Sequence, residues 1–246
     1  MKRMRSYRAE LHVHTVLSPC AAVEMIPPLI VQEALERGIQ LLAITDHNGS
    51  ANASAVMKAA EGSGLQVLPG MELQTREEVH MLCLFDTIEQ IESWQARVDT
   101  LLPNRPNNID YFGEQFVVDQ SGEFIRREER LLLNSVNIGL EDAAREVTAL
   151  GGLAIPAHVD RRANGLIELL GLVPAGFTAL EISRHIQPEA AVRKYPQLNG
   201  YTLLQNGDAH HLDGLLGSTT FEVESACVAE IRLAIHQQLG RTLQIR

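Results

Sequence analysis

The residues of this chain best suited to holding divalent metals fall in short motifs: His12 and His14, Cys20, Asp46 and His47, Glu72, His80, His158, and Asp208 with His210. They include six of the nine histidines. In His12-Val13-His14, period-two alternation puts both imidazoles on one side of a strand, where they can chelate one ion. Alone, each motif has an ordinary reading. The HxH pair is a weak signal, and Asp46 fits a turn aspartate capping the following helix. Glu72 fits a loop carboxylate, His80 a satisfied core histidine in an apolar strand, and His158 a strand terminus. Their recurrence decides between the readings. Asp208-Ala209-His210 repeats the pattern after another apolar run, and several strand ends each offer a ligand-type side chain. A donor set of imidazole, carboxylate and thiolate suits Zn, Mn or Fe better than Ca or Mg.

The elements that must position these residues alternate strand and helix. Leu11, Val13 and their surroundings read as a short first strand that ends in a loop through Ser18-Pro19-Cys20. Pro27 and Pro28 open a helix that stops at Gly38. The spacing then predicts a strand over Leu41–Thr45, a helix over Asn52–Glu61, and strands over Leu65–Pro69 and Val79–Phe85. Ile88–Thr100 reads as a helix. Residues 103–134 break the rhythm and are expected as a surface excursion with a small hairpin around Gln120–Glu123. A helix over Leu140–Leu150, a strand over Gly152–Pro156 and a helix over Gly165–Leu172 come next. Strands over Ala179–Ile182 and Leu203–Gln205 and a closing helix over Glu230–Leu239 complete the reading. This alternation implies α/β architecture with a parallel sheet, and ligand types at strand C-termini favour a barrel.

The length and the 45% hydrophobic content fit one domain across 1–246 with a sizeable core. With 21 Lys plus Arg against 31 Asp plus Glu, the formal charge of −10 argues against extended nucleic acid as a partner. A small phosphorylated substrate remains compatible, since bound metal supplies positive charge locally. Three cysteines without a disulfide framework point to a reducing compartment, the cytoplasm. The basic start, Met1 to Glu10, lacks the apolar core of a signal peptide, and no apolar run is long enough to span a bilayer. Cys83 shares parity with Met81 and Phe85, so it faces away from His80 into packing.

The stretches LHVHTVLSPC, LLAITDHNGSAN, LPGMELQTREEVHMLCLF, IPAHVDR and QNGDAHH, in that order, resemble the PHP (polymerase and histidinol phosphatase) family over about Glu10 to His211. The resemblance implies a distorted (β/α)7 barrel holding two or three divalent metal ions at its mouth. It implies a first metal on His12, His14, Glu72 and Asp208, and a second that shares Glu72 and adds His80 and His158. A third would take Cys20, His47 and His210. Cys20 departs from the family pattern, where histidine or aspartate is common, and a thiolate there favours Zn or Fe. The implied activity is hydrolysis of a small phosphomonoester or a nucleotide-type phosphodiester by a metal-activated hydroxide. Glu72, Asp208 and His210 are the catalytic candidates, with Asp208 or His210 moving the proton. Arg161, Arg184 and His185 are candidate phosphate clamps, set against ordinary surface charge. Two alternatives stay open: an amidohydrolase-like C–N hydrolase, which a barrel lysine would favour, and a non-catalytic metal-binding scaffold domain.

Overall fold

The computed structural model describes residues 3–246; Met1 and Lys2, at the head of the basic start, lie outside them. The chain runs β1 (Arg5–Val13), α1 (Pro27–Glu36), β2 (Leu41–Ile44), α2 (Ala53–Ala59), β3 (Gln66–Gln74), β4 (His80–Leu84) and α3 (Ile88–Asp99). The excursion folds as α4 (Ile109–Phe112), β5 (Phe116–Val118) and β6 (Phe124–Arg127). Then come α5 (Leu140–Ala149), β7 (Leu153–Pro156), α6 (Leu166–Leu170), β8 (Ala179–Ile182), α7 (Pro188–Lys194), β9 (Thr202–Gln205), β10 (Thr219–Val223), α8 (Val228–Ile235) and β11 (Thr242–Ile245).

A curled seven-stranded sheet has the order β11-β10-β1-β2-β3-β4-β7, and β8 pairs separately with β9. The pair bridges the gap between β7 and β1. On one side Val159 N–H donates to Glu181 O at 2.9 Å; on the other, Ala209 N–H donates to His12 O at 2.9 Å and His14 N–H to Ala209 O at 3.0 Å. Strands β1, β2, β3, β4, β7, β8 and β9 thus ring a distorted barrel, with β10 and β11 flaring away beyond β1. The sheet is mixed, which corrects the expected all-parallel order. β4 runs against both β3 and β7, and β10 against both β1 and β11. The hairpin within the excursion forms as expected. The β10 and β11 strands, by contrast, lie outside the expected elements, although Phe221-Glu222-Val223 and Leu243-Gln244-Ile245 alternate apolar and polar residues.

Alternation decides which side chains enter the barrel. Leu11, Ala43, Leu68, Leu82, Ile155, Ala179 and Leu204, one from each ring strand, share one buried cluster. Their strand neighbours Met81, Cys83, Leu73 and Leu180 point outward into a second cluster built on Trp94 of α3 and on Leu140, Ala143 and Val147 of α5. Cys83 is therefore packing, as its parity indicated. Helix α3 is fixed at its start by a reciprocal Thr87–Gln90 cap, and it buries Ile91, Trp94 and Val98 at helical spacing. At Gly70 the barrel strands approach so closely that a Cβ would lie 2.9 Å from Cys83 O and 3.0 Å from Ile44 O. Only glycine fits there.

The excursion is more than surface decoration. Asn48 donates through its amide to Leu132 O and Asn134 O at 2.7 and 2.8 Å. Asn52 donates to Phe116 O at 2.9 Å and accepts from Val118 N–H at 3.0 Å. The segment is stitched to the β2–α2 loop, beside the barrel mouth. No helix among the described residues is long and apolar enough to cross a membrane.

Candidate metal centre

Three devices in the fold bring the ligand-type residues together. First, β1 carries one extra residue between Glu10 and Val13 relative to β2. A bulge re-aims the side chains beyond it, so Leu11 fills the barrel while His12 and His14 face the mouth. Second, Glu72 does not lie in a loop as its ordinary reading had it. It belongs to β3 and shares the inward parity of Leu68 and Gly70. Third, the reversal of β4 sets His80, its first residue, opposite Gln74 near the end of β3. A histidine at the start of a strand thereby reaches the same mouth as those at strand ends. His158 and Asp208 sit just beyond β7 and β9 with φ of 28° and 50°. Left-handed backbone at non-glycine residues is costly and concentrates at functional sites.

Glu72 is the focus. Its Oε1 lies 2.8 Å from His80 Nδ1, 3.0 Å from His158 Nε2 and 3.2 Å from His12 Nε2; its Oε2 lies 2.9 Å from His47 Nδ1 and 3.3 Å from His14 Nε2. Asp208 Oδ1 is 3.3 Å from Nε2 of both His12 and His14. Donor atoms group within 4.8 Å of one another as His12, His14, Glu72 and Asp208; as His47, Glu72 and His80; and as His14, His47 and His210. The first group is the set expected for a first metal. In the second, His47 stands where His158 was expected, although His158 also reaches Glu72. In the third, His14 stands where Cys20 was expected. Cys20 is exposed and lines the same roughly 420 Å³ cavity as His47, Glu72, His80 and His210.

The buried atoms test whether cations fit. Glu181 and Ser18 occupy Nδ1 of His12 and His14. The Nε2 atoms of both, together with His47 Nδ1, His158 Nδ1, Glu72 Oε2 and Asp208 Oδ1, are buried with no hydrogen-bond partner. Lone pairs facing carboxylate oxygens at such distances need a cation between them, either a proton or a metal. Metals therefore fit the donor set. Protons serve the same purpose on part of the cluster. Burial opposes charge on His14, but Asp208 and Glu72 outweigh it and hold the imidazole up at about 9. Burial and the neighbouring His14 push His210 down to about 3; burial likewise takes His47 to about 4 despite Glu72. Burial would raise Glu72, yet His80, His12 and His47 hold its carboxyl well below the ordinary range.

Asp46 is neither a cap nor a ligand. It accepts from Thr15 N–H, Thr15 Oγ and Ser18 Oγ, all at 2.7 Å. Arg161 pairs with Asp208 Oδ2 at 2.5 Å. Arg161, Arg184 and His185 line a second chamber of about 260 Å³ that opens onto Asp208 and His210. The sequence reading missed Glu181, which is 2% exposed. Its signal was a carboxylate inside the apolar run Ala179–Ile182, with the inward parity of Ala179.

The fold is shared with structures of known proteins. Endonuclease Q from Pyrococcus furiosus, a lesion-specific endonuclease, matches with a TM-score of 0.69 at 21% identity over 97% of this chain and 58% of its own. Endonuclease Q bound to a 27-mer duplex with an abasic lesion at the active site gives 0.64, at the same identity and coverage. A Bifidobacterium adolescentis protein assigned as a metal-dependent phosphoesterase gives 0.57 at 20% identity over 82% of this chain and 87% of its own. The chain thus spans under two thirds of the endonuclease's length. No curated protein matches it. The endonuclease comparison overturns the exclusion of extended nucleic acid, since Endonuclease Q, which shares this fold over 58% of its own chain, is itself solved in complex with a DNA duplex. The physical reason is that net charge averages over the surface, whereas Arg161, Arg162 and Arg184 are exposed in the loops after β7 and β8. The PHP domain model matches residues 10–218, and the chain belongs to the PHP domain family.

Proposed function

We propose that this protein is a metal-dependent phosphoesterase that uses two or three transition-metal ions, and that nucleic-acid phosphodiesters are among its substrates. One observation carries the reading: a buried carboxylate, Glu72, ringed by five imidazole nitrogens, three of them without hydrogen-bond partners, next to an arginine-lined chamber. His12, His14, Glu72 and Asp208 would hold one ion, and Glu72, His80, His47 and His158 a second. His210 with His47, and Cys20 at the cavity wall, would hold a third. The nitrogen-rich donor set favours Zn, Mn or Fe. When bound, such ions supply Lewis acidity that activates water and neutralises phosphate oxygens. Arg161, Arg184 and His185 grip phosphate oxygens from the second chamber. His210, held low by burial at the rim beside Asp208, would accept a proton from the attacking water where no third ion occupies it. The duplex-bound Endonuclease Q supports the nucleic-acid substrate. The C–N hydrolase alternative lacks its bridging lysine: among the described residues Lys58 and Lys194 are both exposed, on α2 and α7.

The test is hydrolysis by protein reconstituted with Mn, Fe or Zn. Small phosphomonoesters, mononucleotides and oligonucleotides with and without an abasic site should be compared. Phosphoester cleavage that disappears on chelation is expected. Arg161→Ala and Arg184→Ala should each raise KM about 10–100-fold, because a charge-assisted hydrogen bond contributes about 1.5–3 kcal/mol. No cleavage of any phosphoester by any metal-loaded form would refute the reading.

A further inference from the structure

We propose that Glu181 is the positioning residue of the centre, locking the His12 tautomer and tying it to barrel closure, while Asp46 does the same for His14 through Ser18. Both Glu181 oxygens are committed. His12 Nδ1–H donates to them at 3.0 and 3.1 Å, His158 backbone N–H to Oε2 at 2.8 Å, and Asn206 Nδ2 to Oε1 at 2.8 Å. One carboxylate on β8 therefore grips residues from β1, from beyond β7 and from beyond β9. Asn206 extends the grip, since its Oδ1 accepts Leu11 N–H at 2.9 Å. These are the strands whose meeting closes the barrel.

The chemical consequence lies in the imidazole. A neutral histidine carries one N–H, and the bond made by one nitrogen decides which nitrogen keeps a lone pair. Glu181 can only accept, so it fixes the proton on Nδ1 and leaves Nε2 free toward Glu72 and Asp208. His14 is set the same way at one remove. Its Nδ1–H donates to Ser18 Oγ at 3.0 Å, and Ser18 Oγ donates to Asp46 at 2.7 Å. A hydroxyl relay exerts a weaker pull than a direct carboxylate. The two histidines of the HxH motif are therefore held unequally, with His12 the more firmly set. The network also holds the left-handed backbone at His158, whose N–H would otherwise be buried without a partner.

This inference rests on the metal centre proposed above but not on any particular substrate, so its test reads metal affinity and the histidine N–H resonances. Glu181→Gln keeps the shape and removes the charge. In this variant, competition with a chromophoric chelator should show Zn or Mn held about 10–100-fold more weakly, the range typical of lost outer partners of metal-bound histidine. In the Zn-loaded protein, proton spectra should show the His12 Nδ1–H resonance moving upfield as its carboxylate partner is lost, while circular dichroism stays native. Ser18→Ala should affect the His14 resonances and leave His12 unchanged, and it serves as the readout if Glu181→Gln does not fold. Wild-type metal affinity with an unshifted His12 Nδ1–H resonance in Glu181→Gln would overturn the proposal, as would an unshifted His14 Nδ1–H resonance in Ser18→Ala. Lost affinity without phosphoester hydrolysis in the wild type would uphold the positioning role and refute the activity.

Discussion

Removing divalent metal from this protein should lower its melting temperature by an amount the site geometry makes calculable. The mouth holds six buried polar atoms without hydrogen-bond partners, on His12, His14, His47, His158, Glu72 and Asp208. Leaving a buried polar group unsatisfied costs about 1–3 kcal/mol, so the metal-free mouth is strained by several kcal/mol even after protons neutralise part of it. Mass action gives an independent figure. A ligand at a hundredfold excess over Kd stabilises the folded state by about 2.7 kcal/mol per site. For a chain of this size 1 kcal/mol moves Tm by roughly 2–4 °C, so one filled site is worth about 5–11 °C, and two independent sites about twice that. The assay is calorimetry on chelator-treated protein titrated with Mn or Zn at buffered free concentrations. Tm should rise with the logarithm of free metal, and Ca should act far more weakly because the donors are mostly nitrogen. A Tm that moves by less than a degree with Mn, Fe and Zn at saturating concentration would refute the reasoning, since the unpartnered atoms would then be satisfied in some other way.

Three further outcomes follow from the same geometry. Glu72→Gln removes the carboxylate common to two donor groups; elemental analysis should show loss of more than one ion per chain, and retained stoichiometry with normal kcat would contradict the bridging role. Cys20→Ser should lower metal content at one site only, and in the wild type a thiol reagent should label Cys20 after chelation but not in the loaded protein; labelling at equal rates would remove Cys20 from the ligands. Gly70→Ala sets a methyl against Cys83 O and Ile44 O; overpacking of this kind costs about 1–3 kcal/mol, so calorimetry should show a clear fall in Tm, and an unchanged Tm would mean that β3 is free to shift.

Much of the site was legible because metal ligands must be chemically distinctive side chains. His12, His14, Asp208 and His210 announce themselves by spacing, and β2 follows from the apolar run Leu41–Ile44. What stayed hidden was directional. An apolar strand looks alike whichever way it runs, so nothing in Val79–Phe85 says that β4 opposes its neighbours, and the role of His80 depends on that reversal. The bulge in β1 is equally silent, because an extra residue changes aim without changing composition. Glu181 was overlooked because Leu180 and Ile182 make its segment read as core, although a carboxylate at an inward position of a buried strand must have partners. The role of Asp46, a candidate whose ordinary reading was a helix cap, stayed hidden because its donors, Thr15 and Ser18, lie far upstream in sequence.

The placement of ligands around the ring couples metal binding to folding. No donor group comes from a single hairpin. The first draws His12 from β1, His14 from just beyond it, Glu72 from β3 and Asp208 from beyond β9; the second joins His47, beyond β2, to His80 at the start of β4. Each group exists only when strands distant in sequence have met, and the joint between β9 and β1, the longest in sequence separation around the ring, is the one carrying Asp208, Asn206 and the backbone bonds of Ala209. An opening of that seam separates Asp208 from His12 and His14 and breaks the hold of Glu181 on His12 and of Asn206 on Leu11. Binding energy is realised only in the closed ring, so metal acts as a clasp on the seam. Hydrogen exchange at the Ala209 and His14 amides should therefore slow on metal loading, while amides outside the ring, such as those of β6, keep their rates. Equal protection at the seam with and without metal would show that the ring closes without help from its centre.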